Sequence, residues 1–381
     1  MSTIQQTGPR GCLMCDSLYV KANGEMPCWD DVGESKILRQ LDESNVRERK
    51  ERDLFSFREL VHIRRSFREG RLPYPGTCER CAVRSHGGIV RTLYPTRLRI
   101  LHIESSYLCH LSCPECIPAK LRGDLKGPPY NMTTEMLKGL LRQLQDEGVQ
   151  AIETIHFEGR GDPLLNPAMG ELIKITKHLY PRAFTMATTH GSYRYFPWIV
   201  DSGLDLLRVS IDGAYADSYL KYRVGGDFDR TIAFLKQVRD ERERSGSHLR
   251  VMWKYILFEW NDSDDEIRHA AQLANELKAE LNFVLTYSPG RSKRFPDKES
   301  LKRIKSVAPD AGFEVTFQMK SPDDAPVEGD ENRKKVRRPI EWPRLDNLWL
   351  WCRRKARFRT RVRKAFATIT RATTASRHDR A

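Results

Sequence analysis

Between residues 96 and 290 the chain alternates short apolar runs with longer segments whose apolar residues recur every three or four positions. The short runs are Leu98–Ile103, Ile152–Phe157, Ala183–Thr188, Leu204–Ile211, Val251–Leu257 and Leu281–Leu285. Each has strand length and strand composition. The segment NMTTEMLKGLLRQLQDEG between the first two is an amphipathic helix, with Met136, Leu137, Leu140, Leu141 and Leu144 on one face. Asn261 to Asp265 supply an N-cap and first-turn acids for a helix running to Leu277. Strands that alternate with helices imply a parallel sheet joined by right-handed crossovers. Six such units predict an α/β fold, a partial (β/α)6 TIM barrel open on one side.

The chain has 381 residues, 39% hydrophobic and 30% charged, which supports a sizeable core and excludes collagenous or wholly disordered classes. It has no run of 18 apolar residues, and the N-terminus MSTIQQTGPRGCLMC lacks an apolar signal core, so a cytoplasmic protein is expected. The net charge is +14, but residues 331–381 alone carry 17 Lys and Arg against four acids. Basicity is therefore a property of the tail, and no nucleic-acid partner is expected of the whole chain. Residues 321–340 are rich in Pro and charge and read as a linker. Residues 341–381 read as a basic amphipathic helix with a disordered end. Its 341–368 stretch suits an anionic membrane surface, or else packs on the protein with a solvated basic face.

Eight of the nine cysteines precede residue 117. The odd count and the expected compartment argue against disulfides and for metal. Cys109, Cys113 and Cys116 form a C-x3-C-x2-C run directly after the first predicted strand, the end at which α/β barrels carry their chemistry. Three thiolates leave one iron of a four-iron cluster open to a small chelating molecule. A zinc site completed by His102 or His110 is the alternative.

This cysteine run resembles that of the radical S-adenosylmethionine (SAM) superfamily. The resemblance implies a [4Fe–4S] cluster on Cys109, Cys113 and Cys116, with SAM on the open iron. Glu115 departs from the aromatic residue usual before the third cysteine. Gly159-Arg160-Gly161-Asp162-Pro163 is similar to the family's second motif, with Asp162 for the usual Glu, and Thr189-His190-Gly191 is similar to its third turn. By the same resemblance Gly159, Gly161, Asp162, Thr188, Ser210 and Arg223 contact SAM. The implied activity is cleavage of SAM to a 5'-deoxyadenosyl radical that abstracts hydrogen from substrate, with flavodoxin or a ferredoxin-like protein as electron donor.

Residues 1–95 are predicted to form a separate small module. The strands Leu18–Val20 and Glu25–Pro27 around Asn23-Gly24 read as a β-hairpin, and Ser44–Arg68 as a charged helical stretch. The order of cysteines resembles the SPASM/twitch module, here placed before the barrel (residues 96–320) instead of after it. That resemblance implies an auxiliary [4Fe–4S] cluster on Cys28, Cys78, Cys81 and Cys15, with Cys12 as the alternative to Cys15. A zinc knuckle on the pairs Cys12/Cys15 and Cys78/Cys81 competes with it. His156, Glu158 and Lys254 are the candidate catalytic groups, and Glu259 and Tyr287 are further polar residues near strand ends. The expected reaction is oxidation or epimerisation of a sugar, glycan or small metabolite, lipid-linked if the tail binds membrane. A peptide-modifying maturase is the alternative, and a zinc-stabilised nucleic-acid-binding protein a more distant one.

Overall fold

The computed structural model describes residues 11–28, 37–40, 58–79, 81, 88–114, 116, 130–286, 288–297 and 299–314. The linker 321–340, the basic segment 341–381 and Tyr287 lie outside the described residues. So does the 44–57 part of the charged helical stretch, of which 58–68 forms α1.

The strands are β1 (Ser17–Val20), β2 (Glu25–Pro27), β3 (Ile37–Gln40), β4 (Arg97–Ile103), β5 (Ala151–Phe157), β6 (Phe184–Thr189), β7 (Leu206–Ser210), β8 (Arg250–Ile256), β9 (Glu280–Val284) and β10 (Gly312–Glu314). After α1 (Arg58–Arg68), the helices are α2 (Thr134–Asp146), α3 (Met169–Leu179), α4 (Trp198–Asp201), α5 (Ala216–Tyr222), α6 (Phe228–Ser245) and α7 (Asp264–Glu276). Eight strands make one sheet in the order β1-β4-β5-β6-β7-β8-β9-β10, and every adjacent pair is parallel. The fold is the expected α/β class, a partial-barrel sheet backed by helices. The six expected strands are β4 to β9, in their predicted order.

Two strands were not expected in this sheet. β10 pairs with β9 at one edge. At the other edge β1 pairs with β4, Tyr19 opposite His102. The hairpin reading of β1 and β2 is therefore corrected. The Asn23-Gly24 turn forms, with Gly24 N–H donating to Lys21 O (2.9 Å), but β2 pairs with β3 instead. The exposed edge of β4 offers a full ladder of partners to β1, which a three-residue β2 cannot match.

Strand alternation splits the side chains into two faces. Leu101, Ile103, Ile155, Phe157, Leu207, Val209, Val251, Trp253, Tyr255 and Phe283 face the helices and form the main core. The apolar stripe of α2 buries the five residues its periodicity predicts, and Thr133 caps it by accepting from Met136 N–H (3.2 Å). In α7 the cap is Ser263, while Asn261 turns inward and holds Phe258 N–H and the carbonyls of Asp212 and Ile256.

The buried Asn166 fixes the loop after β4. Its amide donates to Ser105 O (2.8 Å) and Met132 O (2.9 Å), and its oxygen accepts from Ala168 N–H (2.9 Å). Truncation removes the side-chain donor to the Met132 carbonyl and one of two donors to the Ser105 carbonyl, which also accepts from Met132 N–H (2.9 Å), a loss on the order of 1–3 kcal/mol. Asn166→Ala is expected to lower unfolding stability by about 2 kcal/mol in urea denaturation.

Candidate active site

Cys109, Cys113 and Cys116 follow β4 and pack on one apolar patch formed by Leu111, Tyr222, Ile256, Phe258, Val284 and Trp260. The rings of Phe258 and Trp260 stack at 4.6 Å. A cation is built into this patch. Arg223 Nη1 lies 3.7 Å from the Cys113 sulfur, and the same guanidinium pairs with the fully buried Asp212 at 2.6 Å. Asp212 is itself anchored by Ile256 N–H (2.7 Å). Burial pushes the Cys113 thiol up, and Arg223 opposes that shift. Burial alone would weaken the hold of Arg223 on its proton, but Asp212 and Cys113 more than reverse this and keep it charged. Three thiols on one loop, an apolar surround and a fixed cation beside one sulfur fit a [4Fe–4S] cluster. Such a cluster carries thiolate charge and is tuned by burial and local charge. His110, one of the two suggested zinc ligands, packs edge-on against His190 (4.5 Å) and Tyr193.

The Gly159–Pro163 turn follows β5 and lies directly against the cysteine loop. Asp162 N–H donates to Leu108 O (2.7 Å). A Cβ at Gly161 would drive into the Ser106 carbonyl oxygen and come within 2.6 Å of the Tyr107 carbonyl carbon. Only a glycine lets these two main chains meet. The Asp162 carboxylate accepts from Leu164 N–H (3.0 Å), Thr189 Oγ1 (2.8 Å) and His190 N–H (2.9 Å). Its side chain thus ties the second turn to the third. Burial raises it to about 6 despite these donors, and burial lowers the adjacent His190 to about 2. Among the other suggested SAM contacts, Arg223 is committed to Asp212, and Ser210 is buried on β7 opposite Lys254. Thr188 Oγ1 donates to Glu158 Oε2 (2.6 Å).

The inward face of the sheet is layered. Phe184, Met186, Leu206 and Met252 make an apolar floor. One step toward the strand C-terminal ends, inward positions become polar: His102, His156, Thr188, Arg208 and Lys254, with Glu158 just beyond β5. Arg208 Nη2 pairs with Glu158 Oε2 at 2.5 Å, and its Nε donates to Thr188 Oγ1 (3.0 Å). Burial would raise the Glu158 carboxyl, but Arg208 and His156 hold it well below the usual range. Lys254 is brought down to about 8 by desolvation and by Arg208. The three candidate catalytic residues therefore come together. Glu259 does not join them: it pairs with Lys293 on an exposed surface (3.0 Å). Arg208, Asp212 and His102 complete the arrangement. The period-two alternation of strands signals Arg208 and His102, whereas Asp212 has no sequence signal beyond following β7.

The N-terminal thiols form a second group. Cys12, Cys15 and Cys28 share a buried cluster with Met14, Tyr19, Ile63, Phe67 and Val90, flanked by Leu72 and Tyr74. A hydrogen bond with Cys15, then burial, pushes the Cys12 thiol up. Tyr74 is raised to about 12 by burial and by the charge of Cys28, Cys78 and Cys12 nearby. Cys78 N–H donates to Tyr74 O (2.8 Å), and Cys81 packs on Leu13 and the inward-facing Ile100.

Comparison with known proteins agrees with this arrangement. The family model described as the radical SAM superfamily matches residues 103–267, the stretch that holds the three cysteines, both glycine turns and Arg223. These residues are a radical SAM superfamily domain. Among curated proteins, a GTP 3',8-cyclase of Alkaliphilus oremlandii is 24% identical over 230 residues, covering 58% of this chain and 68% of that protein. A probable dual-specificity RNA methyltransferase of Pseudothermotoga lettingae is 25% identical over 221 residues, covering 55% and 61%. Among solved structures, a radical SAM methyltransferase from Sphaerobacter thermophilus covers 56% of this chain and 64% of that one. It does so at 19% identity and a TM-score of 0.41. The relatives are enzymes, and the matched domain implies a [4Fe–4S] cluster and SAM.

The close approach at Gly161 gives one expectation. Gly161→Ala is expected to force the two turns apart and to lower SAM affinity at least tenfold in equilibrium binding, with the thiols still present. Lys254 gives another. Its folded value lies below its unfolded one, so the chain loses stability as pH falls from about 10 through 8. Lys254→Met is expected to melt a few degrees above the wild type at pH 7, and the gap should close as the pH approaches 10.

Proposed function

We propose that this enzyme oxidises or epimerises a small hydroxylated metabolite held in the polar layer of the barrel, with a second [4Fe–4S] cluster on its N-terminal cysteines. The observation that carries the reading is the position of that layer. It lies between an apolar floor and the three-cysteine patch, enclosed by the strands themselves. A substrate seated there has polar partners on β4, β5, β6, β7 and β8 and is screened from bulk water, which protects a radical from side reactions.

When bound, the cluster on Cys109, Cys113 and Cys116 supplies the electron that splits SAM into methionine and the hydrogen-abstracting 5'-deoxyadenosyl radical. The chain's own residues do the rest. Arg223 balances thiolate charge at Cys113, and Asp212 holds Arg223 in place. Arg208 and Thr188 fix the Glu158 carboxylate. Lys254, brought near neutrality, is the group best suited to take a proton from a substrate hydroxyl as the substrate is oxidised.

The N-terminal thiols support an auxiliary centre in their burial, their convergence around Tyr74 and their reach into the barrel. Tyr19 packs within their cluster and also lies 4.3 Å from the His102 ring, centroid to centroid. An electron leaving the substrate would have one aromatic ring between the polar layer and that centre. Flavodoxin or a ferredoxin-like protein is the proposed donor for the first cluster.

Anaerobic reconstitution followed by iron analysis tests the reading. About eight irons per chain are expected from two four-iron cubes, and about four in Cys78→Ala with 5'-deoxyadenosine still formed. Cys109→Ala, Cys113→Ala and Cys116→Ala should each abolish 5'-deoxyadenosine. Zinc in place of the second set of irons would remove the auxiliary cluster from the proposal.

A further inference from the structure

Two imidazoles and a carboxylate meet in the polar layer. One nitrogen of His102, one of His156 and one oxygen of Glu158 lie within 4.8 Å of one another, and among the described residues this is the one His, Cys, Asp or Glu group so arranged. The three are half-buried on the inward side of β4 and β5, where registered pairing sets His102 directly beside His156. We propose that they form a divalent-cation site with two imidazole ligands and one carboxylate, separate from both cysteine groups.

The contacts around the three residues are those a metal site needs. Glu158 divides its oxygens: Oε2 takes Thr188 (2.6 Å) and Arg208 (2.5 Å), while Oε1 faces His156 Nδ1 at 3.6 Å. A carboxylate held through one oxygen presents the other in a fixed direction, as outer hydrogen bonds do for metal ligands. His102 Nε2 lies 2.9 Å from the Glu158 main-chain carbonyl. A ring that donates there keeps its lone pair on Nδ1, the usual way an imidazole ligand is fixed in one tautomer. Tyr19, tilted against the His102 ring at 4.3 Å between centroids, restricts the ring further.

The donor set decides which ion fits. Two nitrogens and one oxygen, without thiolate, suit manganese, iron(II), cobalt or zinc, and three ligands leave coordination positions open. Oxygen atoms of a substrate would fill them. Arg208 and Lys254 stand beside the site and add positive charge, so the ion's full affinity requires an anionic or deprotonated substrate oxygen on the open side. The site therefore selects a substrate that chelates, such as a vicinal diol or an α-hydroxy acid. That choice of substrate class rests on the function proposed above, but the cation site itself does not.

Manganese(II) is the probe, because thiolate centres disfavour it and its free ion is counted directly by electron paramagnetic resonance. Full-length reconstituted protein, stripped with a chelator that leaves the iron in place, is titrated with manganese chloride without SAM. One saturable site per chain is expected. His156→Gln and Glu158→Gln should each weaken it at least tenfold with iron content and circular dichroism unchanged. Thr188→Val removes a hydrogen bond to the carboxylate but no ligand, and should weaken it roughly tenfold. Absence of a saturable site would overturn the proposal, as would a site indifferent to all three substitutions. Because no SAM is cleaved in the assay, failure of the radical chemistry and failure of the cation site are read independently.

Discussion

The carboxylate of Asp162 is where three strand-end turns become one surface. Its main-chain N–H reaches the loop after β4, and its oxygens gather donors from its own turn and from the turn after β6. Gly161 beside it removes the only bulk that would keep the first two turns apart. The cysteine loop is held further along by Ser112 N–H donating to Val224 O (2.9 Å) and by Arg223 beside Cys113. The carboxylate accomplishes this while fully buried, which is why its acidity is weakened even under three hydrogen bonds.

Below that crossing, parallel register organises the interior. The register sets His156 beside Met186 and Arg208 beside Met252, so the inward residues form layers that step across the strands and not along the register rows. An apolar layer closes the bottom and a charged layer sits above it. The charged layer is expensive in stability, since Arg208 and Lys254 are drawn from water with one carboxylate between them. Charge retained at such a cost in an enclosed site points to function.

Much of this was legible in the chain itself. Strand alternation with helices gave the sheet, and the three-four periodicity of α2 named its buried face residue for residue. The C-x3-C-x2-C run was legible because its spacing is local, and it lies within the stretch that the radical SAM family model matches. What sequence alone could not supply was pairing over long separations. The partner of β1 is some eighty residues away, and a nearby Asn-Gly turn suggested the wrong one. Arg223 was expected to contact SAM by resemblance, and the structure pairs it with a carboxylate of the chain's own, Asp212, just past β7. Strand alternation sets Arg208 on an inward position, but a lone arginine in a strand carries no motif that marks it as part of a site.

The strand β1 has an implication for modularity. It carries Tyr19 into the thiol cluster and completes a ladder with β4, so the cysteine-bearing segment is stitched into the barrel through main-chain hydrogen bonds. The segment and barrel thus share one sheet, and removing one uncovers a raw sheet edge on the other. Thiols joined in this manner are not a freely detachable cassette, because a cut at that junction breaks the row of backbone bonds between β1 and β4.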